Sequence, residues 1–303
     1  MSIVAILNPK SANGNAARTW AKVRAHLPES VRTIETMGPG HATELTADAI
    51  RAGAKTIVAV GGDGTINEVV NGFFDDGRAI TPDAKLAIVP HGTGSDFQRV
   101  LNLPWEEEKA ARLILTEEPR MVDVLRVLYT GHNGRLTTRY SINVTSFGMG
   151  GEVAARVNRS SKLLGGGIAF LAATLRTALT FSGVAARVTL DDEKTIEARI
   201  TNVAVGNGQY HGAGMWVCPG ASLEDGLLDV TVIEYLSAFQ MLRSLPSLYN
   251  GAIYQHPKVR AFRAKRVKAE SSQPSFIEID GEPVGRLPVE IEIVPRALRI
   301  LMR

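Results

Sequence analysis

The stretch VAVGGDGTINEVVNG, from Val58 to Gly72, contains the clearest structural signal of the sequence. It opens with small and β-branched apolar residues, which are typical of a buried strand. Three glycines, Gly61, Gly62 and Gly64, then interrupt the strand pattern, and an amphipathic pattern typical of a helix follows. Strand, glycine-rich turn and helix in this order predict a βα unit. Its loop is expected at the carboxyl end of the strand, where ligands bind in open α/β sheets.

The glycine loop, Gly61–Thr65, has the composition of a phosphate-binding turn. Glycine lets backbone N–H groups approach an anion closely, and the following helix adds the partial positive charge of its N-terminus. Asp63 suits such a loop if a cation or a polarised hydroxyl lies beside the phosphate. A purely structural interpretation is also open, because Thr65 and Glu68 have the spacing of a capping box. The loop lacks the Gly-Lys-Ser/Thr ending of a Walker A motif.

Similar units extend through the first part of the chain. Apolar runs separated by helical patterns predict four strands, at Ile3–Leu7, Val31–Thr36, Thr56–Val60 and Leu86–Pro90. Loops rich in Gly, Asn and Ser follow the first and fourth strands, at Asn8–Ala16 and Gly92–Ser95, although ordinary βα turns favour the same residues. The alternation predicts an α/β domain over residues 1–125 with a parallel, Rossmann-like nucleotide-binding sheet.

The pattern changes after about Met121 to strand-like segments separated by turns. This change predicts a second domain over residues 126–288, built as an antiparallel β-sandwich. One long helix is expected inside it, at about residues 160–182. The last strand-like segment, residues 289–303, is expected to return to the first domain, because chain termini commonly lie close together.

Composition and charge narrow the class of protein. A net charge of +3 does not favour a nucleic-acid partner. The single cysteine, Cys218, excludes an internal disulfide and is expected to be a buried apolar residue. This cysteine content favours a reducing cytoplasm, and the N-terminal segment is interpreted as a first strand instead of a signal peptide. Residues 258–268 contain six Lys and Arg, which predict either a basic membrane-facing surface or a solvated edge strand.

Several motifs together resemble one family. They are GGDGTINEV, GTGSDF, NPKSANG, NVTSFGMGGEV (Asn143–Val153), the segment from Val205 to Val230 that contains SLEDGLLD, and IDGEP (Ile279–Pro283). The chain resembles the diacylglycerol kinase catalytic domain family, whose relatives are the sphingosine kinases and bacterial lipid kinases, with NAD kinases more distant. The resemblance covers nearly the whole chain in order. Two residues depart from the family pattern: Ser95 stands where Asn is common, and Ala12 where Gly is usual.

The resemblance implies a two-domain fold with the active site in the interdomain cleft. It implies transfer of the γ-phosphoryl group of ATP to a lipid hydroxyl with Mg²⁺. Carried over by position, the nucleotide contacts are Thr36, Gly62, Asp63, Gly64, Thr65, Ile66, Asn67, Glu68 and Thr93. A structural Mg²⁺ site is implied at Ser222, Asp225 and the carbonyl oxygen of Leu227, where a plain turn is the alternative.

The segment IEIDGEP contains two acidic residues on either side of Gly281. In a strand, Asp280 and Glu282 would share a face, and two carboxylates there could divide proton transfer and metal binding. Asp-Gly is also a strong hairpin-turn signal, and from the residues alone a structural turn is the favoured interpretation. The resemblance assigns the proton acceptor to Glu282, with Asp280 in a supporting or metal-side role.

The sequence therefore predicts an ATP- and Mg²⁺-dependent lipid kinase whose first-choice acceptor is diacylglycerol-like. The alternatives are a sphingosine or other lipid kinase, an NAD kinase-like enzyme with a soluble acceptor, and a non-catalytic nucleotide-binding module. The expected partner is a lipid substrate at a membrane surface. The protein is expected in the cytoplasm, peripheral to the inner face of the membrane, and a homodimer is left open.

Overall fold

The computed structural model describes residues 2–91, 96–104, 106–159 and 166–302. The chain divides into two compact units. Unit 1 comprises Met1–Asp123 and Pro295–Arg303, and unit 2 comprises Val124–Val294. The last strand of the chain therefore begins in unit 2 and ends in unit 1.

Unit 1 alternates strands and helices. Its strands are β1 (Ile3–Leu7), β2 (Arg32–Glu35), β3 (Thr56–Gly61), β4 (Phe74–Asp75), β5 (Arg78–Ala79) and β6 (Lys85–Pro90). Its helices are α1 (Asn15–Arg24), α2 (His41–Arg51), α3 (Asp63–Asn71), α4 (Asp96–Leu101) and α5 (Glu107–Thr116), with a short 3₁₀ turn at Ser11–Gly14. The sequence pattern did not indicate α5.

The main strands of unit 1 pair in parallel. The order is β6-β3-β1-β2, with Leu7 opposite Val60 and Gly61 opposite Pro90. All residues of β1 and β3 are buried, as expected for strands that are covered on both faces. Because parallel strands end at the same edge, the residues that follow β1, β2, β3 and β6 lie along one side, called here the carboxyl edge.

Unit 2 contains most of the strands. They are β7 (Arg120–Gly131, whose first residues belong to unit 1), β8 (Leu136–Ser141), β9 (Val144–Gly148), β10 (Val184–Leu190), β11 (Lys194–Gly206), β12 (Tyr210–His211), β13 (Met215–Trp216), β14 (Leu228–Glu234), β15 (Val259–Ala264), β16 (Arg266–Ser271), β17 (Phe276–Ile279) and β18 (Glu282–Ile300). Its helices are α6 (Met149–Arg159), α7 (Gly166–Thr180) and α8 (Ala238–Tyr249), with a 3₁₀ turn at Ala252–Gln255.

The strands of unit 2 pair antiparallel in the order β15-β14-β11-β10-β16-β18, and β9 pairs with both β11 and β17. Alternate residues of these strands point into one apolar core, which includes Phe147, Val203, Val230 and Ile291. Across the described chain, antiparallel pairs outnumber parallel ones. At the far end of β18, Arg299 and Ile300 pair in parallel with Lys85 and Leu86 of β6.

The helices of unit 2 differ from the prediction of one helix at about 160–182. Only α7 falls in that range, and residues 160–165 lie outside the described part of the chain. Two further helices, α6 and α8, were not predicted. The α8 segment contains Pro246, which normally argues against a helix interior, but Ser237 and Gln240 form a capping box that fixes its start.

Candidate functional site

The glycine loop joins β3 to α3 by a very short connection. Helix α3 begins at Asp63, and Gly62 is its N-cap residue in an extended conformation with φ −86° and ψ −177°. A Cβ atom on Gly61 would lie 2.6 Å from Oγ1 of Thr65, so a side chain at this position would collide with the helix. The first amides of α3 have no partner within the helix, and they point out of its N-terminus at the carboxyl edge.

The capping-box interpretation of Thr65 and Glu68 is wrong. Thr65 lies inside α3, where its Oγ1 accepts a hydrogen bond from Nδ2 of Asn8 at 3.0 Å. The carboxylate of Glu68 accepts the backbone N–H groups of Gly40 and Ala42, at 2.8 and 3.2 Å. These donors lie at the start of α2. Glu68 therefore holds the N-terminus of a neighbouring helix.

Asp63 connects the glycine loop to the loop that follows β6. Its two carboxylate oxygens accept the backbone N–H groups of Asp96 and Phe97, each at 3.3 Å. These two residues begin α4. The structure thus gives Asp63 a positioning function at the carboxyl edge, in addition to any contact with a ligand.

Ser11, which the sequence analysis did not single out, connects three loops of the carboxyl edge. Its Oγ accepts the backbone N–H of Gly62 at 3.0 Å and donates to the carbonyl oxygen of His91 at 2.7 Å. The neighbouring Ala12 has φ +47°, a conformation that glycine adopts without strain, and this is the position where the related family usually has glycine. The loops after β1, β3 and β6 are therefore held together by one hydroxyl group.

Some of the remaining predicted nucleotide contacts lie at the carboxyl edge, whereas others have buried side chains. Thr36 follows β2 at the carboxyl edge, and its N–H donates to the carbonyl oxygen of Leu7 at 2.8 Å. The side chains of Ile66 and Asn67 are buried within unit 1, so these residues support the loop from behind. Gly62 and Gly64 stand at the start of α3. Thr93 lies outside the described residues.

The acidic motif of unit 2 is a hairpin turn. Asp280 and Gly281 have φ +48° and +88°, and they connect β17 to β18 with Ile279 opposite Glu282. This is the two-residue turn that Asp-Gly favours. The hairpin-turn interpretation of this segment is therefore confirmed, and the alternative, in which Asp280 and Glu282 share a strand face, is wrong because the turn separates them.

The carboxylate of Asp280 is buried and surrounded by donors. It accepts Oγ–H of Ser141 at 2.6 Å and the backbone N–H groups of Ile142, Asn143 and Val144, each at 3.1 Å. Four donors occupy most of the lone-pair positions of an ionised carboxylate. Asp280 thus fixes the connection between β8 and β9, and it has little remaining capacity to take a proton or bind a metal.

Glu282, in contrast, is exposed at the first residue of β18. The described part of the chain offers its carboxylate no hydrogen bond or ion pair. An exposed carboxylate at this position is available to accept a proton from a bound hydroxyl group.

A third acidic residue of this hairpin, Glu278, was missed by the sequence analysis. It is fully buried, its Oε2 accepts the N–H of Gly281 at 2.7 Å, and its Oε1 lies 3.5 Å from Nε2 of His211. Burial raises the pKa of Glu278, although His211, Ser146 and the Gly281 amide oppose the rise. The sequence signal was a Glu within the apolar run FIEI, because a run that is apolar at successive positions is typical of a strand buried on both faces.

The predicted magnesium site is a turn at the surface of unit 2. Oδ1 of Asp225 accepts the N–H of Leu227 at 3.1 Å, and its Oδ2 lies 3.4 Å from Nη1 of Arg263. Asp229 is buried next to this turn, and its pKa is raised by burial and by the charge of Asp225, while Arg263 opposes the rise. No group of three or more His, Cys, Asp or Glu suited to a metal occurs among the described residues.

The donors at this turn nevertheless fit a hard cation. A carboxylate, the hydroxyl of Ser222 and the carbonyl of Leu227 offer oxygen atoms only, as Mg²⁺ prefers, and water completes such sites.

The basic stretch 258–268 is largely neutralised in the structure. Arg260 pairs with Glu234 at 2.9 Å, Lys268 with Asp192 at 2.6 Å, and Arg266 with Glu290 and Glu292. Its first strand, β15, is an edge strand of the sheet of unit 2. These contacts favour the edge-strand interpretation of the stretch over a membrane-facing one.

Comparisons with known proteins agree with this arrangement. Residues 2–127 match the model of the diacylglycerol kinase catalytic domain, and residues 143–302 match that of the YegS C-terminal NAD kinase beta sandwich-like domain. The chain is 32% identical over 298 residues to "Probable lipid kinase YegS-like" of Xanthomonas euvesicatoria pv. vesicatoria (strain 85-10), which covers 97% of this chain and 94% of that protein.

Solved structures show the same two-domain fold with a C-terminal β-sandwich domain. A diacylglycerol kinase from Bacillus anthracis str. Sterne matches with a TM-score of 0.73 and 21% identity, covering 100% of this chain and 97% of that one. Yeast NADH kinase complexed with NADH matches with a TM-score of 0.52 and 13% identity, covering 99% and 82%. Among the described residues, no helix has both the length and the apolar character needed to cross a membrane.

Proposed function

The chain belongs to the YegS-like lipid kinases that carry a diacylglycerol kinase catalytic domain, and we propose that it transfers the γ-phosphoryl group of ATP to a lipid hydroxyl group. The observation that carries the proposal is the carboxyl edge of unit 1. Three loops meet there on a parallel sheet, connected through Ser11, Gly62 and His91. This sheet then serves as the Rossmann-like nucleotide-binding sheet of the enzyme.

In this proposal the nucleotide phosphates bind at the N-terminus of α3. Backbone amides at Asp63 and Gly64 are suited to phosphate oxygens, because they lie at the positive end of the helix dipole. The N–H of Gly62 donates to Oγ of Ser11, so Gly62 is proposed to shape the loop beside the phosphates. Asp63 and Glu68 hold the neighbouring helices that shape this edge. Magnesium, when bound with ATP, would neutralise the charge that develops on the transferred group.

The proposed proton acceptor is Glu282. Its carboxylate is exposed, whereas that of Asp280 accepts four hydrogen bonds. The two residues therefore have different functions. Asp280 holds the turn, and Glu282 takes the proton from the attacking hydroxyl group. The turn itself is braced by Glu278, whose Oε2 accepts the N–H of Gly281.

The turn at Ser222, Asp225 and Leu227 is proposed to hold a structural Mg²⁺ through oxygen ligands. A diacylglycerol-like molecule is the proposed acceptor, and the enzyme would work in the cytoplasm, peripheral to the inner face of the membrane. A lipid acceptor contains long apolar chains and remains in the bilayer, which is why a peripheral location follows from the proposed chemistry.

The test is a transfer assay with labelled ATP and Mg²⁺ over diacylglycerol, sphingosine, a glycolipid and NAD. Label in a lipid product that disappears in the Asp63→Ala variant is the expected result. Label only in NADP would support a soluble-acceptor kinase, and ATP binding without any labelled product would support a nucleotide-binding module. Either of these outcomes contradicts the proposal.

A further inference from the structure

Helices α7 and α8 carry a large share of the exposed apolar side chains. Eight large hydrophobic side chains are exposed in the described part of the chain, and five of them belong to these two helices: Leu175, Leu179, Phe239, Leu242 and Tyr249. Leu179 is 71% exposed and Phe239 is 73% exposed. Concentrated exposure of this kind marks an interaction surface, whereas single exposed apolar residues do not.

The exposed residues of α8 form one stripe. Phe239, Leu242, Pro246 and Tyr249 are spaced by three, four and three residues, so they lie along the same side of the helix. The opposite side is buried, because Met241 belongs to a core cluster with Leu248 packed against it. Helix α8 therefore has two apolar faces: one packs onto the core of unit 2, and the other is the exposed stripe.

Helix α7 has the same two-sided character in its described part. Leu175 and Leu179 are four residues apart and exposed, whereas Ala178 joins the same core cluster as Met241 of α8. The two helices pack against each other over this cluster. Each helix thus has a buried face on a shared core and an apolar face towards solvent.

The charges on these helices are all positive. Neither α7 nor α8 contains Asp or Glu, and each contains one exposed arginine, Arg176 and Arg243. Neither arginine forms an ion pair with any residue that the structure describes. Lys258, close to α8, donates to the carbonyl oxygen of Tyr235 at 3.0 Å and to Oε1 of Gln240 at 3.4 Å, again without a described carboxylate partner. This pattern differs from the paired cations of β15 and β16.

We propose that the exposed faces of α7 and α8 form a docking surface for an anionic lipid bilayer. We call it the α7–α8 surface, defined by the five exposed apolar residues together with Arg176 and Arg243. Helices with an apolar face flanked by cations bind in the headgroup region, where the apolar side chains enter the acyl boundary and the cations meet anionic headgroups. The choice of a bilayer over a second protein rests on these charges and, in part, on the proposed lipid kinase function.

The test measures binding of the full-length protein to vesicles without ATP. Vesicles of phosphatidylcholine alone are compared with vesicles that also contain phosphatidylglycerol, by flotation. Phe239→Gln with Leu242→Gln should weaken binding about tenfold or more, because two large apolar side chains no longer enter the membrane. Arg176→Gln with Arg243→Gln should weaken binding to anionic vesicles by about fivefold for each arginine and leave binding to neutral vesicles unchanged.

Two control variants match these changes elsewhere on unit 2. Leu136→Gln removes an apolar side chain that is 67% exposed on β8, and Arg135→Gln removes an exposed cation beside it. Both should bind vesicles as the wild type does. Thermal melting of every variant checks that the fold is retained, and the arginine pair gives an independent result if the apolar pair unfolds.

Three results would overturn the proposal. They are wild-type vesicle binding by both pairs of variants, an equal loss in Leu136→Gln, and a lipid-free dimer that Phe239→Gln with Leu242→Gln dissociates in sedimentation velocity. The last result would assign the surface to a second copy of the chain. Failure of lipid phosphorylation is separate, because vesicle binding is measured without ATP: binding lost in the apolar pair supports docking even if no lipid is phosphorylated.

Discussion

At the scale of single residues, the carboxylate of Asp280 determines the conformation of a whole turn through four hydrogen bonds. Asp280→Asn should lower the free energy of unfolding by about 1–3 kcal/mol, because an amide group leaves at least one buried donor without an acceptor. Urea denaturation measures the loss. Asp76→Asn is a matched control, since Asp76 also has positive φ before a glycine but is exposed. Equal losses in the two variants would contradict the anchoring function of Asp280.

Glu282 is the residue on which the proposed proton transfer depends. Glu282→Gln keeps the shape of the side chain but cannot accept a proton, so kcat should fall by about 10²–10⁴. The fall in kcat should be close to the lower end of this range if phosphoryl transfer depends mainly on positioning and charge. ATP affinity, measured by calorimetry, should be nearly unchanged, because the proposed nucleotide contacts belong to unit 1. A variant with wild-type kcat would remove Glu282 from the mechanism.

Glu278 should make the stability of the protein depend on pH. Burial raises its pKa in the folded state above the ordinary value of 4.5, so the folded protein binds the proton more tightly than the unfolded chain. The stabilisation is complete below pH 4.5 and is lost as the pH rises through the raised pKa. Glu278→Gln should therefore gain melting temperature relative to the wild type as the pH rises through this range. A constant difference between the two proteins would show that Glu278 does not titrate there.

The burial of Cys218 could be predicted from the sequence alone. It was expected to be a buried apolar residue, and its burial is confirmed. Burial also raises the pKa of its thiol to about 12. Ser11 was missed because its partners, Gly62 and His91, lie far away in the sequence, and the same holds for His211, the distant partner of Glu278. No local pattern reports such contacts.

At the scale of elements, the turn before β14 connects a proposed metal site to the stability of unit 2. If Mg²⁺ binds the native state alone, the melting temperature should rise with added Mg²⁺, and at about 100 times the dissociation constant the gain is about 2.7 kcal/mol. Asp225→Ala should remove this dependence. Glu224→Ala, which removes the adjacent charge, should retain it. Equal melting of the wild type in Mg²⁺ and in chelator would show that the segment is an ordinary turn.

The elements also show which local signals are reliable. The buried strand Ile3–Leu7 has the bounds that its apolar run predicted, because burial on both faces leaves a continuous signal. Helix α8 escaped prediction because Pro246 is unfavourable inside a helix and the compensating capping box is weaker as a sequence pattern. The Asp280–Gly281 turn could not be separated from a strand by spacing, since both interpretations fit the same five residues.

At the scale of the whole molecule, the C-terminal residues complete the core of unit 1. Ile300 is fully buried and pairs with Leu86 of β6. Ile300→Ala should lower the free energy of unfolding by about 2–5 kcal/mol, because it leaves a cavity in a packed core. Leu136→Ala, at an exposed position, should change it by less than about 0.5 kcal/mol. Similar values for the two variants in urea denaturation would contradict the structural importance of the C-terminal segment.

Strand β18 runs from Glu282 to Ile300 and belongs to both units, and this has a consequence for biosynthesis. The first 123 residues emerge from the ribosome long before the segment that pairs with β6 is synthesised. During translation β6 therefore has an unpaired edge, and an unpaired edge is open to pairing with other chains. Unit 1 cannot reach its final structure until unit 2 has been synthesised, so this chain is expected to need protection from aggregation until Arg299 and Ile300 have left the ribosome and paired with β6.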